Sequence, residues 1–190
     1  MPDALRLIPA RAPLVDLKTG VMTRDWYRYL EALYVQRLTN PTGTTLVGSS
    51  AVTLTGIPFW VRKVSLVLDE VSLTAGGSNL IVQLGAGGVA TLAGYTGSVA
   101  TAPAGAAANF SAGFVLGISI APAVLYGTLT LHLCGTNRWM ASGTFGRSDV
   151  ATASLVGGAV TLPGSLDTIV VTTAAGTDTF DAGVAALFYE

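Results

Sequence analysis

The sequence predicts a mainly β protein: a jelly-roll-like antiparallel β-sandwich preceded by an extended arm and one α-helix. Short runs of alternating apolar and polar residues follow Gly43, and glycine or proline separates nearly all of them. A helical spacing of apolar residues occurs only before these runs. At 190 residues the chain is long enough for one well-filled core. We therefore expect an arm and helix over residues 1–43 and a sandwich domain over residues 44–190.

The N-terminal region contains the signals of an extended arm and a single helix. Pro9 and Pro13 fix φ and favour extended conformations before them, so residues 1–15 are expected to lie along another surface. Thr23 is a suitable N-cap residue, and the apolar spacing that follows it predicts a helix over residues 24–38.

An aromatic and aliphatic stripe recurs along this helix at three- and four-residue steps. The side chains that we predict to form a docking surface are Trp26, Tyr27, Leu30, Leu33 and Tyr34. The stripe has two interpretations: packing against the chain's own sandwich, or docking on a partner or on symmetry-related copies. We favour docking.

Runs with the two-residue alternation of strands follow the helix at a spacing of roughly ten residues. They lie at residues 52–54, 64–68, 79–84, 114–120, 128–134, 139–144, 154–162, 167–172 and 182–189. Residues 85–108 are rich in glycine and alanine, and they are predicted to form either a long loop or a strand pair with loose ends. Short strands with turn residues between them are typical of a sandwich or barrel.

Charge is distributed very unevenly along the chain. Ten of the 21 charged side chains lie in residues 1–37, whereas residues 71–137, a run of 67, contain none. Because charge is depleted at the centres of protein interfaces, this run predicts burial between subunits. The alternative is that serine and threonine replace charged residues on solvent-facing strands.

Composition argues against several classes of partner. The net charge is −1, with no cluster of basic residues beyond Arg62–Lys63, so no nucleic acid is expected. The most apolar stretch, residues 110–126, is interrupted by glycine, serine and proline, which argues against membrane insertion. Charges and prolines occupy the place of a signal peptide's apolar segment, so we expect the protein to act where it is made.

The histidine, cysteine and acidic residues that could act in catalysis or bind a metal form no recognised pattern. The candidates are His132, Cys134, Asp69, Glu70, Asp178 and Asp181. The single histidine and cysteine share a strand face without the electropositive setting of a reactive thiol. The adjacent carboxylates point to opposite faces of a regular strand, and the other acidic pair matches no calcium loop. We expect no enzyme activity, no cofactor and no metal.

Large aromatic rings of the second region are the remaining candidates for binding. They are Trp60, Tyr95, Tyr126, Trp139 and Phe145. An exposed ring is a common platform for the apolar face of a sugar, but core packing is the interpretation that we favour for Trp60 and Trp139.

Two parts of the chain resemble proteins of tailed-bacteriophage particles. Residues 13–34, PLVDLKTGVMTRDWYRYLEALY, resemble an opening segment of many virion proteins that reads Pro-x-x-Asp-x-x-Thr-Gly-x-x-Thr-x-x-Trp. The matching residues are Pro13, Asp16, Thr19, Gly20, Thr23 and Trp26. SNLIVQLG (78–85), GTLTLHLCGTNRWMASG (127–143) and residues 166–190 are similar to the β-sandwich ends of phage fibre proteins.

The resemblance implies a structural virion protein, assembled in the host cytoplasm. It implies a short homotrimeric tail or head fibre whose N-terminal segment docks on tail, portal-vertex or capsid proteins, and whose sandwich serves assembly or contact with host-surface glycans. Family fibres often carry long shafts, which this chain lacks. We therefore keep two alternatives, a capsid decoration or cement protein and a tail-associated glycan-active enzyme.

Overall fold

The computed structural model describes residues 13–30, 43–74, 77–103, 107–117 and 123–190. Contacts between residues divide the chain into two compact units, Met1–Pro41 and Thr42–Glu190. The division falls close to the boundary predicted after residue 43. Each unit is described separately below.

In the N-terminal unit, residues 13–23 fold back on themselves. Val15 and Met22 form an isolated antiparallel bridge. Helix α1 follows and is described over residues 24–30. The end of the predicted extended arm is thus paired within its own unit, and the predicted continuation of the helix to residue 38 lies outside the described residues. No helix of the described chain has the length and apolarity needed to cross a membrane.

The second unit is built from antiparallel strands. They are β1 (Thr44–Thr45), β2 (Ala51–Thr55), β3 (Lys63–Leu73), β4 (Leu80–Ala86), β5 (Val89–Ala90), β6 (Thr96–Ala102), β7 (Ala107–Asn109), β8 (Phe114–Gly117), β9 (Leu125–Gly135), β10 (Arg138–Arg147), β11 (Ala153–Thr161), β12 (Thr168–Thr173) and β13 (Phe180–Tyr189). The larger sheet has the order β1-β13-β3-β9-β10-β11-β6-β7. The smaller sheet has the order β2-β12-β4-β5, and β8 also pairs with β4.

The two sheets pack face to face around one hydrophobic core, which confirms the prediction of an antiparallel β-sandwich. Alternate residues of the larger sheet, such as Leu66 and Leu129, meet Val82 and Val171 of the smaller sheet in this core. The alternation follows from strand geometry, because successive side chains point to opposite faces. Strands were predicted at most of these positions because the apolar residues of the core recur with the same period.

The central strands of the smaller sheet are buried on both faces. Every residue of β12 is buried, and so is every residue of β4 before Ala86. Part of the outer face is covered by residues 110–113: the side-chain amide of Gln83 donates to the Ala112 carbonyl at 2.9 Å. A Cβ on Gly113 would lie 3.2 Å from the Ile81 side chain, so this position suits glycine. The sequence of β4 is accordingly almost continuous in apolar residues.

The ladders join early strands to late strands in reverse order. β1 pairs with β13, β2 with β12, β3 with β9, and β4 with β8. The segment predicted as a loop or strand pair contains β5, β6 and β7, of which β6 joins the larger sheet beside β11. Strands β10, β11, β6 and β7 extend the larger sheet beyond β9. The jelly-roll order itself stays a prediction.

Candidate functional site

The outer face of the larger sheet is the most extensive unusual surface of the described chain. It consists of the side chains that alternate with core residues on six neighbouring strands. We name as the uncharged face the residues Ala186, Phe188, Ser65, Val67, Thr128, Thr130, His132, Met140, Ser142, Thr144, Leu155, Gly157, Ala159, Thr96, Ser98 and Ala100. The register aligns them in rows across the sheet, and none of them is an acidic or basic residue apart from the histidine.

The uncharged face is flat and mixes small hydroxyl groups with exposed apolar side chains. Met140 and Leu155 are each 52% exposed, and Phe188 is 48% exposed. A shallow depression of about 560 Å³ lies over the middle of the face, where Thr128, Ser142 and neighbouring residues line it. Two rows of the face cross six strands, and the third crosses four because Lys63 continues it on β3. With strands about 4.8 Å apart and alternate residues about 7 Å apart, these rows cover about 540 Å².

Two ion pairs lie at the border of this face. Lys63 lies 3.1 Å from Glu190, and Arg147 lies 2.7 Å from Asp149. The hydrogen bond from the Arg147 guanidinium holds the pKa of Asp149 below its usual value. The Lys63–Glu190 pair is accessible to water and adds little to stability, whereas the Arg147 side chain is only 16% exposed.

The charge-free run of residues 71–137 has two structural causes. Strands β4 and β8 contribute almost only buried positions, where charge is excluded by burial within the chain itself. Strands β6 and β9 contribute outward positions, and these are occupied by uncharged residues, namely Thr, Ser, Ala, Tyr and Cys, and by His132. Burial inside the chain therefore explains only part of the run, and the outward positions need another explanation.

The recurring N-terminal motif forms a compact turn before α1. The Thr23 hydroxyl donates to the Pro13 carbonyl at 2.7 Å, which ties the start of the helix to the start of the turn. The Asp16 carboxylate accepts from the Lys18 amide at 2.8 Å. Gly20 has a φ of 69°, a left-handed conformation that favours glycine. Each of these motif residues thus has a local structural function.

Three of the five predicted docking residues lie in the described part of α1. Trp26 is half-buried and its ring meets that of Tyr29 edge to face at 5.9 Å. Tyr27 is 60% exposed and Leu30 is 42% exposed. Their spacing places them along one side of the helix. The other two predicted residues, Leu33 and Tyr34, lie outside the described residues, and docking stays a prediction for all five.

The single histidine and cysteine both lie on β9. His132 is exposed on the uncharged face, and the exposed Cys134 thiol donates to the Arg138 carbonyl at 3.3 Å. In the part of the chain that the structure describes, no three His, Cys, Asp or Glu side chains are grouped to hold a metal ion.

The acidic candidates occupy two separate places in the sandwich. Asp69 and Glu70 are both exposed at a bulge in β3, where Glu70 has a φ of 55°. The regular alternation that predicts opposite faces for this pair is interrupted there. Asp181 accepts a hydrogen bond from the Ser72 hydroxyl. Asp178 is only half-buried, although one of its carboxylate oxygens is buried and has no hydrogen-bond partner among the described residues.

The aromatic predictions divide between core and surface. Trp139 is 2% exposed, which confirms its predicted place in the core, and Tyr95 and Phe145 are buried as well. The prediction for Trp60 is wrong, because this ring is 50% exposed in the turn before β3. The neighbouring Phe59 was missed altogether and is 80% exposed. Two adjacent rings that interrupt strand alternation beside Arg62 are the signal that could have indicated a surface site.

Comparisons of the chain with protein-family models, with curated proteins and with solved structures found no significant match. The class that the fold defines is an antiparallel β-sandwich protein with an N-terminal helical segment.

Proposed function

We propose that the protein is a non-enzymatic structural component of a bacteriophage particle, a short homotrimeric tail or head fibre. Its N-terminal segment docks on other virion proteins, and its sandwich serves assembly or host contact. The single observation that carries this proposal is the uncharged face. An isolated soluble domain keeps both signs of charge on its surface, whereas the centre of a subunit interface is depleted of charge.

The size of the uncharged face supports its use as an interface. A planar area of about 540 Å², from two rows across six strands and a third across four, approaches the roughly 800 Å² of accessible surface that each partner buries in a standard interface. The small hydroxyl side chains let a second surface approach closely. Self-association also needs no complementary charges, because the face carries no acidic or basic residue apart from His132.

The strand order supports a jelly roll, which we propose as the finer description of the fold. The first four strands, β1–β4, pair in reverse order with β13, β12, β9 and β8, and reverse pairing of this kind follows the plan of a rolled-up hairpin. Strands β5–β7 and β10–β11 are then insertions that enlarge one sheet. Jelly rolls are frequent in viral capsid and lectin domains, although fold alone does not determine function.

The N-terminal turn and helix support the docking part of the proposal. The polar groups of the motif residues Thr23 and Asp16 form local hydrogen bonds. In the described part of the helix, the large side chains of Tyr27 and Leu30 are exposed. Exposed apolar groups on a preformed helix are suited to docking in a groove of a partner.

A decoration or cement protein is the second candidate, and one observation favours it. The first strand begins at Thr44, directly after the N-terminal unit ends at Pro41, so no shaft separates the docking segment from the sandwich. A protein without a shaft is well placed to cover a seam between capsid subunits.

Quantitative mass spectrometry of purified particles tests the proposal and separates the two candidates. A fibre predicts a small multiple of three copies per particle, whereas a decoration protein predicts on the order of hundreds of copies spread over a symmetric shell. Absence of the protein from purified particles contradicts both.

A further inference from the structure

The smaller sheet ends in an edge strand that lacks the usual protection. Strand β2 pairs with β12 on one side, and the register of their five residue pairs contains no bulge. Its sequence, AVTLT, contains no charged residue and no proline. Natural edge strands are kept from pairing with other chains by charge, by proline, by a bulge or by being very short. The edge of β2 is therefore available for pairing.

The other edge strands of the described chain are shorter or buried. Strands β1 and β5 have two residues each, and β7 has three. All four residues of β8 are buried. Among the described strands, β2 is thus the one that presents a long exposed edge.

The backbone groups at this edge can be assigned from the hydrogen bonds of β12. In an antiparallel sheet a residue directs its N–H and C=O to the same side, and successive residues alternate between the two sides. Ala174, directly after β12, donates to the Asn79 carbonyl at 2.8 Å, so even-numbered residues of β12 face β4. Odd-numbered residues then face β2, where Ile169 lies opposite Leu54. Even-numbered residues of β2 therefore bond to β12, and odd-numbered residues point to the open edge.

The outward backbone groups belong to Ala51, Thr53 and Thr55. All three residues are exposed, and no described residue forms a hydrogen bond with their outward N–H and C=O groups. Three donors and three acceptors are thus available along about 14 Å of strand. The side chains that alternate with them are turned to the core, where Leu54 is buried and Val52 packs beside it.

This edge is complementary to a second copy of itself. Antiparallel pairing about a twofold axis at Thr53 places this residue opposite Thr53 of the second copy, and Ala51 opposite Thr55. All outward donors and acceptors of both copies are used in this register. On the core side, Val52 lies opposite Leu54 of the second copy. No charged residue is present, so the symmetry brings no like charges together.

We propose that β2 pairs with β2 of a second copy and joins two smaller sheets into one continuous sheet. This interface is separate from the uncharged face, which belongs to the larger sheet. Two short strands pair weakly, so we expect a dissociation constant of about 1 mM. The inference rests on the proposed function in one respect: copies held side by side on a particle reach millimolar effective concentrations.

Small-angle X-ray scattering of the full chain, from about 10 µM to about 2 mM, tests the pairing. We expect the mean mass to rise about 1.5-fold or more over this range, as for a dissociation constant of about 1 mM. Thr53→Glu places a carboxylate opposite its own copy and should abolish the rise, because like charges directly opposite destabilise a strand pair. Thr45→Glu, at an exposed threonine of edge strand β1, is the matched control and should associate as the unmodified chain does.

Thr53→Pro tests the assigned direction of the backbone groups. Proline removes an N–H that points to the open edge, so the bonds between β2 and β12 remain and the sandwich stays folded. Circular dichroism checks the fold, and the rise in mean mass should again be absent. If Thr53→Pro unfolds the sandwich, the assigned direction is wrong and the proposed register fails.

Hydrogen exchange locates the contact within the chain. The Thr53 and Thr55 amides should exchange about twofold more slowly at 2 mM than at 10 µM, as their groups become paired. The Leu54 amide bonds to β12 and should exchange slowly at both concentrations.

Three results overturn the inference. The first is a mean mass that stays constant up to 2 mM. The second is a rise in mass that both Thr53→Glu and Thr53→Pro leave unchanged. The third is full protection of the Thr53 amide at 10 µM, which would show that another segment covers the edge. The mass at 10 µM reports on the uncharged face alone, so failure of this inference is distinguishable from failure of the proposed function.

Discussion

Thr128 of β9 and Thr144 of β10 lie directly opposite each other on the uncharged face. Val67 continues their row on one side, and Leu155 continues it on the other. Neighbouring hydroxyl and apolar groups of this kind cover most of the face, and His132 is its single ionisable residue. The assembly proposal depends on this row, and a single carboxylate placed in it is a direct probe.

Thr144→Glu is expected to dissociate the assembly without unfolding the subunit. Thr144 is exposed in the single chain, so the carboxylate is hydrated in the monomer. In an assembly through this face it becomes buried and unpaired, which costs about 3–5 kcal/mol. Analytical ultracentrifugation measures the change as a shift from oligomer to monomer. Thr53→Glu, an exposed strand position in the smaller sheet, is the matched control and should leave the oligomer intact.

Gly158→Ala is expected to destabilise the sandwich by about 1–3 kcal/mol, the range for overpacked cores. A Cβ on Gly158 would lie 2.6 Å from the Thr96 carbonyl oxygen and 2.8 Å from the Phe110 ring. Gly146→Ala is the control, since a Cβ there meets nothing within 4 Å. Urea unfolding monitored by circular dichroism compares the two. Equal midpoints for both variants would show that Phe110 does not pack closely over β11.

Tyr95 is expected to make the fold sensitive to alkali. Burial raises the pKa of Tyr95 to about 12 from 10.0, although the hydrogen bond with the Leu84 backbone acts in the opposite direction. The pKa of Tyr95 is higher in the folded chain than in the unfolded chain, so the neutral phenol contributes to the free energy of unfolding. This contribution is about 3 kcal/mol, is fully present below about pH 10 and is lost as the pH rises towards 12.

Tyr95→Phe isolates this effect. The variant should lose about 1–2 kcal/mol at neutral pH, because the Leu84 amide no longer donates to the phenol oxygen at 2.7 Å. Its unfolding midpoint in urea should then fall less between pH 9 and pH 11.5, roughly the window set by the two pKa values. If both chains lose stability equally over this window, another group is responsible.

Removal of residues 1–41 is expected to leave a folded sandwich that no longer joins particles. The second unit contains the whole described core, so the deletion should lower its free energy of unfolding by about 1 kcal/mol or less. Its melting temperature should therefore change by only a few degrees. Incorporation is measured by blotting purified particles against a full-length control. Incorporation at the normal level would contradict the docking function of Trp26, Tyr27 and Leu30.

The sandwich could be predicted from the sequence because its core residues recur every second position within single strands. The run at residues 64–68, for instance, contributes Val64, Leu66 and Leu68 to the core of β3. The glycine-rich segment was ambiguous because this alternation is weak there: β6 has a single buried residue, Val99. Strand order was not predictable, since pairing across long separations leaves no local pattern.

The cavity of about 270 Å³ at one end of the sandwich could not be predicted, because its residues come from turns far apart in the chain. Phe59, Asn137 and Ser165 meet only after the sheets have formed. The size and apolarity of Trp60 favoured the core, but its position in a turn leaves it outside. By contrast, the charge-free run of residues 71–137 indicated in advance a surface like the uncharged face. Burial of β4 and β8 within the chain accounts for part of that run.

The mass of the full chain in solution, measured by native mass spectrometry and sedimentation velocity over about 1–100 µM, tests the assembly claim most directly. The account predicts a stable species of three times the 19.4 kDa chain mass, which Thr144→Glu converts to single chains and Thr53→Glu does not. A soluble monomer at every concentration, or an oligomer that Thr144→Glu leaves intact, would contradict it.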